Sequence, residues 1–252
     1  MSHAVLDAAA LVGVGVVAGT VNVIAGGGSF LTLPLMIFLG LPPTVANGTN
    51  RLAIITQNAG AVWSFQRKGL IERSWVLISV PPAVVGAVLG TLTAVRIGDL
   101  AFQRILALCM VAITAWTLWR PVGPRGSGGS DPPRGVGRMM FVAAYFAAGF
   151  YGGFIQAGVG FVVLAITTAG GLDLVRGNAI KVTLALLFTP LALALFAASG
   201  KVDWLMAVWL AVGTWLGGLA GVHLQVLKGH AWVRNVVTVT IVVFAVKLLL
   251  GE

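Results

Sequence analysis

The sequence predicts an all-α polytopic membrane protein of two repeated and inverted halves. Each half is expected to hold one Gly-broken helix unit, re-entrant or discontinuous, plus three transmembrane helices. Three observations predict this. Only 9% of the 252 residues are charged, where a soluble domain carries about 25%. Hydrophobic residues make up 58%, mean hydropathy is +1.00, and the apolar runs are long enough to cross about 30 Å of hydrocarbon. The chain also repeats itself: adding 131 to a residue number turns Gly27 into Gly158, Phe30 into Phe161, Asn47 into Asn178, Asn50 into Lys181 and Gly69 into Gly200. Strands of a β-barrel would instead alternate over about ten residues.

The first unit, Val5 to about Leu41, is too long for one span and is interrupted by Gly26-Gly27-Gly28. Two half-length helices meeting at the glycines are expected, because glycine supplies the positive φ that a sharp break needs. Ser29 is the expected N-cap of the second piece. Pro34 falls early in that piece, where a missing N–H does less harm. Thr44 to Phe65 is the next helix, with Arg51 in its first third. A basic turn, Gln66 to Gly69, leads to a span from Trp75 to Val95, with Trp75 expected at the membrane interface. Gly86 and Gly90 lie on one face of it, a close-packing pattern. Leu100 to Trp119 completes the first membrane repeat, residues 1–119.

Residues 120–138 are rich in Gly and Pro and basic, and read as the linker between the halves. The second repeat, 139–252, follows the same plan. Met139 to Ala169 is long and Gly-broken (GFYGGFIQAGVGF), with Gly158-Val159-Gly160 as the counterpart of the first glycine run. Asp173 caps a helix to Ala198 that carries Asn178 and Lys181. Trp204 to Leu224 has Gly213 and Gly217 at the spacing of Gly86 and Gly90, and Trp232 to Leu250 is the last span. Interrupted helices at matching positions in two halves point to a secondary transporter. If both broken units enter and leave on one side, loop Lys and Arg divide about ten to four between the two sides; if all eight units cross, about nine to five. The first scheme inverts the halves and puts the loops near Arg67, Arg120–Arg138 and Lys228 in the cytoplasm.

The net charge of +9 is scattered between apolar runs, a loop pattern rather than a nucleic-acid surface. Cys109 is the single cysteine, so no internal disulfide exists, and one cysteine with three scattered histidines makes no metal constellation. No cofactor is expected. Asp7 and His3 stand where a signal peptide would be basic, so no cleaved leader is expected.

Arg51 and Lys181 carry the chemistry. Each costs about 2.5–3.5 kcal/mol at the centre of an inserted helix. No Asp or Glu lies within a turn of either, and none lies inside a predicted span. A negatively charged guest would supply the missing partner; snorkelling to the interface, or pairing with backbone carbonyls, is the competing account. Gly26, Gly27, Gly28 with Ser29, and Gly158 in the second half, would each open a helix whose first N–H groups carry about half a positive charge. Such a terminus binds anions without a charged side chain. Asn47, Asn50, Gln156 and Asn178 add neutral hydrogen-bonding groups. Asn22, Thr49, Gln57, Asn58 and Thr183 are expected as interhelical glue. Ser29 and His223 could be imagined as nucleophile and base of an intramembrane hydrolase, but no acid orients them.

These stretches resemble the TauE/SafE family of sulfite and organosulfonate exporters. The likeness rests on AGGGSFLTLPLM, on TVANGTNRLA after it, and on GNAIKVTLA in the second half, and it covers nearly the whole chain. It implies an anion carrier of the bacterial cytoplasmic membrane that moves sulfite, sulfoacetate or related compounds. It puts the Gly-rich turn at Gly26–Gly28 and the paired polar helix starts at Asn47–Arg51 and Asn178–Lys181. Members often have four or five glycines where this chain has three, and its second half has only GVG. The partners expected are a small anion and the bilayer, with a second copy of the chain left open and nucleic acid excluded. A non-transporting scaffold is the remaining alternative.

Overall fold

The computed structural model describes residues 2–24, 26–119, 132–133 and 135–228. The expected span Trp232–Leu250 and most of the linker lie outside them. The described residues form helices joined by short turns, with no strand: α1 (Ser2–Ile24), α2 (Ser29–Phe38), α3 (Pro43–Arg67), α4 (Arg73–Ala94), α5 (Asp99–Trp119), α6 (Val136–Phe154), α7 (Val159–Ala169), α8 (Leu174–Ala198) and α9 (Trp204–Lys228). Leu6–Ile24, Arg73–Ala94, Leu174–Ala198 and Trp204–Leu224 are long and apolar enough to cross a membrane. With ten and eleven residues, α2 and α7 reach only about 15–17 Å, half a bilayer core.

A few contacts fix the direction of each helix. At one end, where α3 begins, the N–H and hydroxyl of Thr44 donate to Asp99 at the start of α5 (2.9 and 2.7 Å). There too the N–H of Asp203, just before α9, donates to Thr49 Oγ1 (2.9 Å). At the other end, the Glu72–Arg176 ion pair (3.0 Å) joins the α3–α4 turn to the start of α8. Trp75 meets Phe141 there edge to face, with centroids 5.9 Å apart. So α3 and α9 run from the Pro43 end to the Arg67 end, and α4 and α8 run back.

α1 lies parallel to α9. Gly15 sits on Gly213, and Gly217 fits against Val16 and Thr20. α6 lies parallel to α4 in the same manner: Gly86 and Gly90 face the backbone of Phe146 and Phe150, and Gly149 and Gly153 face Ala83 and Ala87. The glycine pairs at i, i+4 therefore let main chains touch, which is how helices gain packing energy where lipid tails remove the hydrophobic drive. α2 then carries the chain back to the Pro43 end, and α7 carries it back to the Arg67 end.

Two expectations are corrected. Gly28, not Ser29, takes the N-cap position of α2, and no side chain caps it. The backbone at Gly28 is already helical (φ −58°, ψ −33°), so Ser29 lies within the first turn. Trp75 is not an interfacial anchor. It is fully buried, because Phe141 and Gly170 close over it. Asp173 does cap α8, accepting from Val175 N and Arg176 N at 2.9 and 3.0 Å.

Candidate functional site

Both breaks fall where glycine makes them cheap. After Ile24 the chain turns through Gly26, whose φ of +91° lies in the left-handed region that side chains avoid. After Phe154 it turns through Gln156 and Gly158, with φ of +69° and +78°. The two breaks come together. A Cβ placed on Gly26 would lie 2.6 Å from Gly160 Cα, so the glycine pair allows main chain to meet main chain.

Helix breaks inside a protein strand backbone groups. The last carbonyls of α1 and α6 have no partner further along their own helix. Each set is held by one amide and one cation from across the molecule. Asn47 Nδ2 on α3 donates to Phe154 O (2.8 Å). Arg51, one turn on, donates from Nη1 to Gly152 O (2.7 Å) and to Gln156 Oε1 (2.5 Å). Its Nη2 donates to Gly153 O (2.7 Å) and reaches Asn47 Oδ1 at 3.4 Å. The guanidinium also stands over the Phe196 ring, 5.3 Å from its centroid. In the other break, Asn178 Nδ2 on α8 donates to Ile24 O (3.1 Å), and Lys181 Nζ donates to Asn22 O and Val23 O (2.9 Å each).

The competing account of the cations is therefore met in part. Both point inward, with Arg51 fully buried and Lys181 5% exposed, and both rest on backbone carbonyls. No acid pairs with either among the described residues. A cation on two carbonyls at a helix C-terminus is favoured by the dipole as well as by the hydrogen bonds. Two polar atoms at the site remain buried without a hydrogen-bond partner, Arg51 Nε and Asn178 Oδ1. The N-terminal sides of the breaks are polar in a milder way. Asn50 Nδ2 donates to Ser29 Oγ (3.1 Å), and Thr32 Oγ1 donates to Asn50 Oδ1 (2.8 Å). Gly27 and Gly28 are buried beside them.

The description "Sulfite exporter TauE/SafE" matches residues 11–248. The chain belongs to the TauE/SafE family. Among curated proteins, this TauE/SafE member is 28% identical to a probable membrane transporter protein of Haemophilus influenzae, covering 95% of this chain and 93% of that one. It is 29% identical to the probable membrane transporter protein YfcA of Escherichia coli K12, covering 94% and 87%. It is 27% identical to the probable membrane transporter protein ORF9 of a Sinorhizobium species, covering 92% and 88%. No solved structure matches it. The protein is thus a multi-pass membrane protein of a transporter family.

Of the residues singled out from sequence, this TauE/SafE fold gathers Asn47, Arg51 and Gln156 at one break, Asn178 and Lys181 at the other, and Ser29 with Asn50 beside the first. Gly26, adjoining Gly160, joins the two breaks. Ser29 and His223 do not form a pair: Ser29 is buried and accepts from Asn50, His223 is exposed on α9, and no hydrogen bond joins them. Sequence reading missed Thr91, which donates to Gly153 O (3.1 Å), and Tyr151, whose hydroxyl donates to Ala157 O (2.6 Å). Lone polar letters on apolar spans were their only signal. Pairing with main-chain carbonyls stood only as the competing account, and which carbonyls could not be read, since they have no letter. Apolar clefts of about 600 and 550 Å³ open on the α4–α6 and α3–α9 flanks, and no predicted site residue lines either.

Proposed function

We propose that the protein is a secondary carrier of a small sulfur-containing anion, such as sulfite or a sulfonate, working in the bacterial cytoplasmic membrane. One observation carries the reading: two helix breaks meet inside the protein, and a buried cation without a carboxylate partner attends each. Carbonyls satisfy these cations by hydrogen bonds but do not neutralise them, so an anion that reaches the site gains more than the carbonyls offer. Arg51, Lys181, Asn47, Asn178, Gln156 and the glycine-led starts of α2 and α7 would take the place of the substrate's water. The opposed directions of the α1–α2 and α6–α7 units support an inverted pair of halves that rock about the site, each exposing it to one side. Basic residues gather at the Arg67 end, which supports placing that end in the cytoplasm.

The test is transport into liposomes together with an anion thermal-shift panel on purified protein. Sulfite, thiosulfate or sulfoacetate should raise the melting temperature of the wild type. Arg51→Met and Lys181→Met should abolish transport while a folded, monodisperse fraction remains. Wild-type rates from both variants would overturn the reading. A panel without any shift would favour a scaffold.

A further inference from the structure

We propose that the groove between α3 and α9 is a lipid site that holds one anionic phospholipid, with an acyl chain along the groove and the phosphate on Arg67 and Lys68. The inference stands apart from the carrier reading and needs only that the protein lies in a bilayer. α3 and α9 run side by side in the same direction, so one stripe of each makes a wall. Leu52, Thr56 and Ala59 line the first wall, Val208, Val212 and Trp215 the second, and they enclose about 550 Å³. Thr56, the polar residue of the first wall, spends its hydroxyl on main chain: it donates to Ala53 O (3.0 Å) and reaches Ala211 O at 3.4 Å. The groove thus offers hydrocarbon to whatever lies in it. Small residues make it hollow, Ala59 on the wall and Gly60 behind it against Trp215 and Leu219.

The same stripes lead out of the groove to a charged end. In steps of four along α3, Ala59 gives way to Trp63 and then to Arg67; along α9, Trp215 gives way to Leu219 and then to His223. The Arg67 guanidinium lies over the Trp63 ring, 4.1 Å from its centroid. Stacking takes the face of the guanidinium and leaves its edge N–H groups free for a phosphate. Lys68 stands next to it, and both cations are exposed. Glu72, the carboxylate on this turn, is held by Arg176 at 3.0 Å. Trp63 is 56% exposed, at the level where aromatic rings meet headgroups. From Thr56 to Arg67 the helix rises about 16 Å, close to half of a hydrocarbon core of about 30 Å. One leaflet's chain therefore fits between the middle of the groove and the cations. A free phosphate would find the cations but no use for the groove. A zwitterionic lipid would fill the groove but bring its own positive charge toward Arg67 and Lys68. An anionic lipid matches both ends. The cleft on the α4–α6 flank has one cation in its lining, Arg138, and makes the natural control.

The experiment is native mass spectrometry of the full chain in a neutral detergent, with phosphatidylglycerol or phosphatidylcholine of equal chain length added. The wild type should keep one phosphatidylglycerol in preference to phosphatidylcholine, by roughly fivefold for each cation, the worth of one Lys or Arg near an anionic surface. Replacing both cations, Arg67→Gln with Lys68→Gln, should bring phosphatidylglycerol down to the level of phosphatidylcholine. Ala59→Phe, an exposed position that a larger side chain can occupy without disturbing the core, should fill the groove and weaken both lipids. Glycerol phosphate, a headgroup without chains, should not displace the lipid, and Arg138→Gln should leave the adduct unchanged. Equal retention of the two lipids by the wild type overturns the proposal. So does an adduct that ignores both the double variant and Ala59→Phe, one that is lost with Arg138→Gln instead, or one that glycerol phosphate displaces. A wild type that binds no lipid and appears as a dimer broken by Ala59→Phe would give the groove to a second copy of the chain and overturn it as well.

Discussion

The two breaks solve one problem with different chemistry. At the end of α6, Arg51, Asn47 and Thr91 together hold the carbonyls, and Gln156 lends its own side-chain oxygen. At the end of α1, Lys181 and Asn178 are the side chains that hold the carbonyls, and Gly26 N adds one main-chain bond to Asn22 O. The turn residues differ too. The left-handed position just past the helix is Gly26 in one break and Gln156 in the other. A non-glycine residue there is strained by about 1–3 kcal/mol, and the strain persists only where surrounding contacts enforce it. The difference teaches that the Arg51 break is built as a fixed lock. The Lys181 break is lighter, with one cation, one amide and a glycine at the turn.

Removing each cation tests that asymmetry with the largest effect. Arg51→Met leaves Gly152 O without a donor, at about 1–3 kcal/mol, leaves Gly153 O to Thr91 alone, and takes away the partner that justifies the strain at Gln156. Lys181→Met likewise leaves Val23 O without a donor and Asn22 O to Gly26 N alone, but strands no strained residue. The drop in melting temperature in detergent should be clearly larger for Arg51→Met. Equal drops would erase the distinction between the two breaks.

The turn residues come next. Gly26→Ala forces a side chain into the left-handed region and against Gly160 Cα, 2.6 Å away, so it should cost about 2–3 kcal/mol and lower the folded yield. Gln156→Gly goes the other way. It relaxes the backbone and loses one acceptor of Arg51, two terms that offset each other within about 1 kcal/mol. A Gln156→Gly protein as damaged as Gly26→Ala would mean that the amide, not the turn, determines this break.

Much of this was legible in the letters, for physical reasons. Glycine marks a break because few residues tolerate positive φ, and a charge inside an apolar run announces burial. The offset of 131 paired Asn47 with Asn178, and each amide serves the last carbonyl of a broken helix. The partners of the cations were only half legible. Main-chain carbonyls stood as the competing account, but every residue carries one, and only the fold decides which lie within reach. The same limit explains Trp75: its place beside basic residues suggested an interface, but the turn at Gly170 covers it.

The smallest expected effect compares how the two cation-bearing helices begin. α8 is capped by its own Asp173, which accepts from Val175 N and Arg176 N. α3 begins at Pro42 without a side-chain cap of its own, and Asp99 from the start of α5 accepts from Thr44 N and Oγ1 instead. Asp173→Ala should therefore act locally, at about 1 kcal/mol, as an ordinary cap does. Asp99→Ala removes two hydrogen bonds and the tie between α5 and α3, so its cost should reach about 2 kcal/mol. Hydrogen exchange should show the same split: faster exchange confined to the first turn of α8 for Asp173→Ala, and in the starts of both α3 and α5 for Asp99→Ala. If both variants loosen only their own first turn, the start of α3 is held as locally as that of α8, and the contrast between the two helices begins no earlier than Asn47 and Asn178.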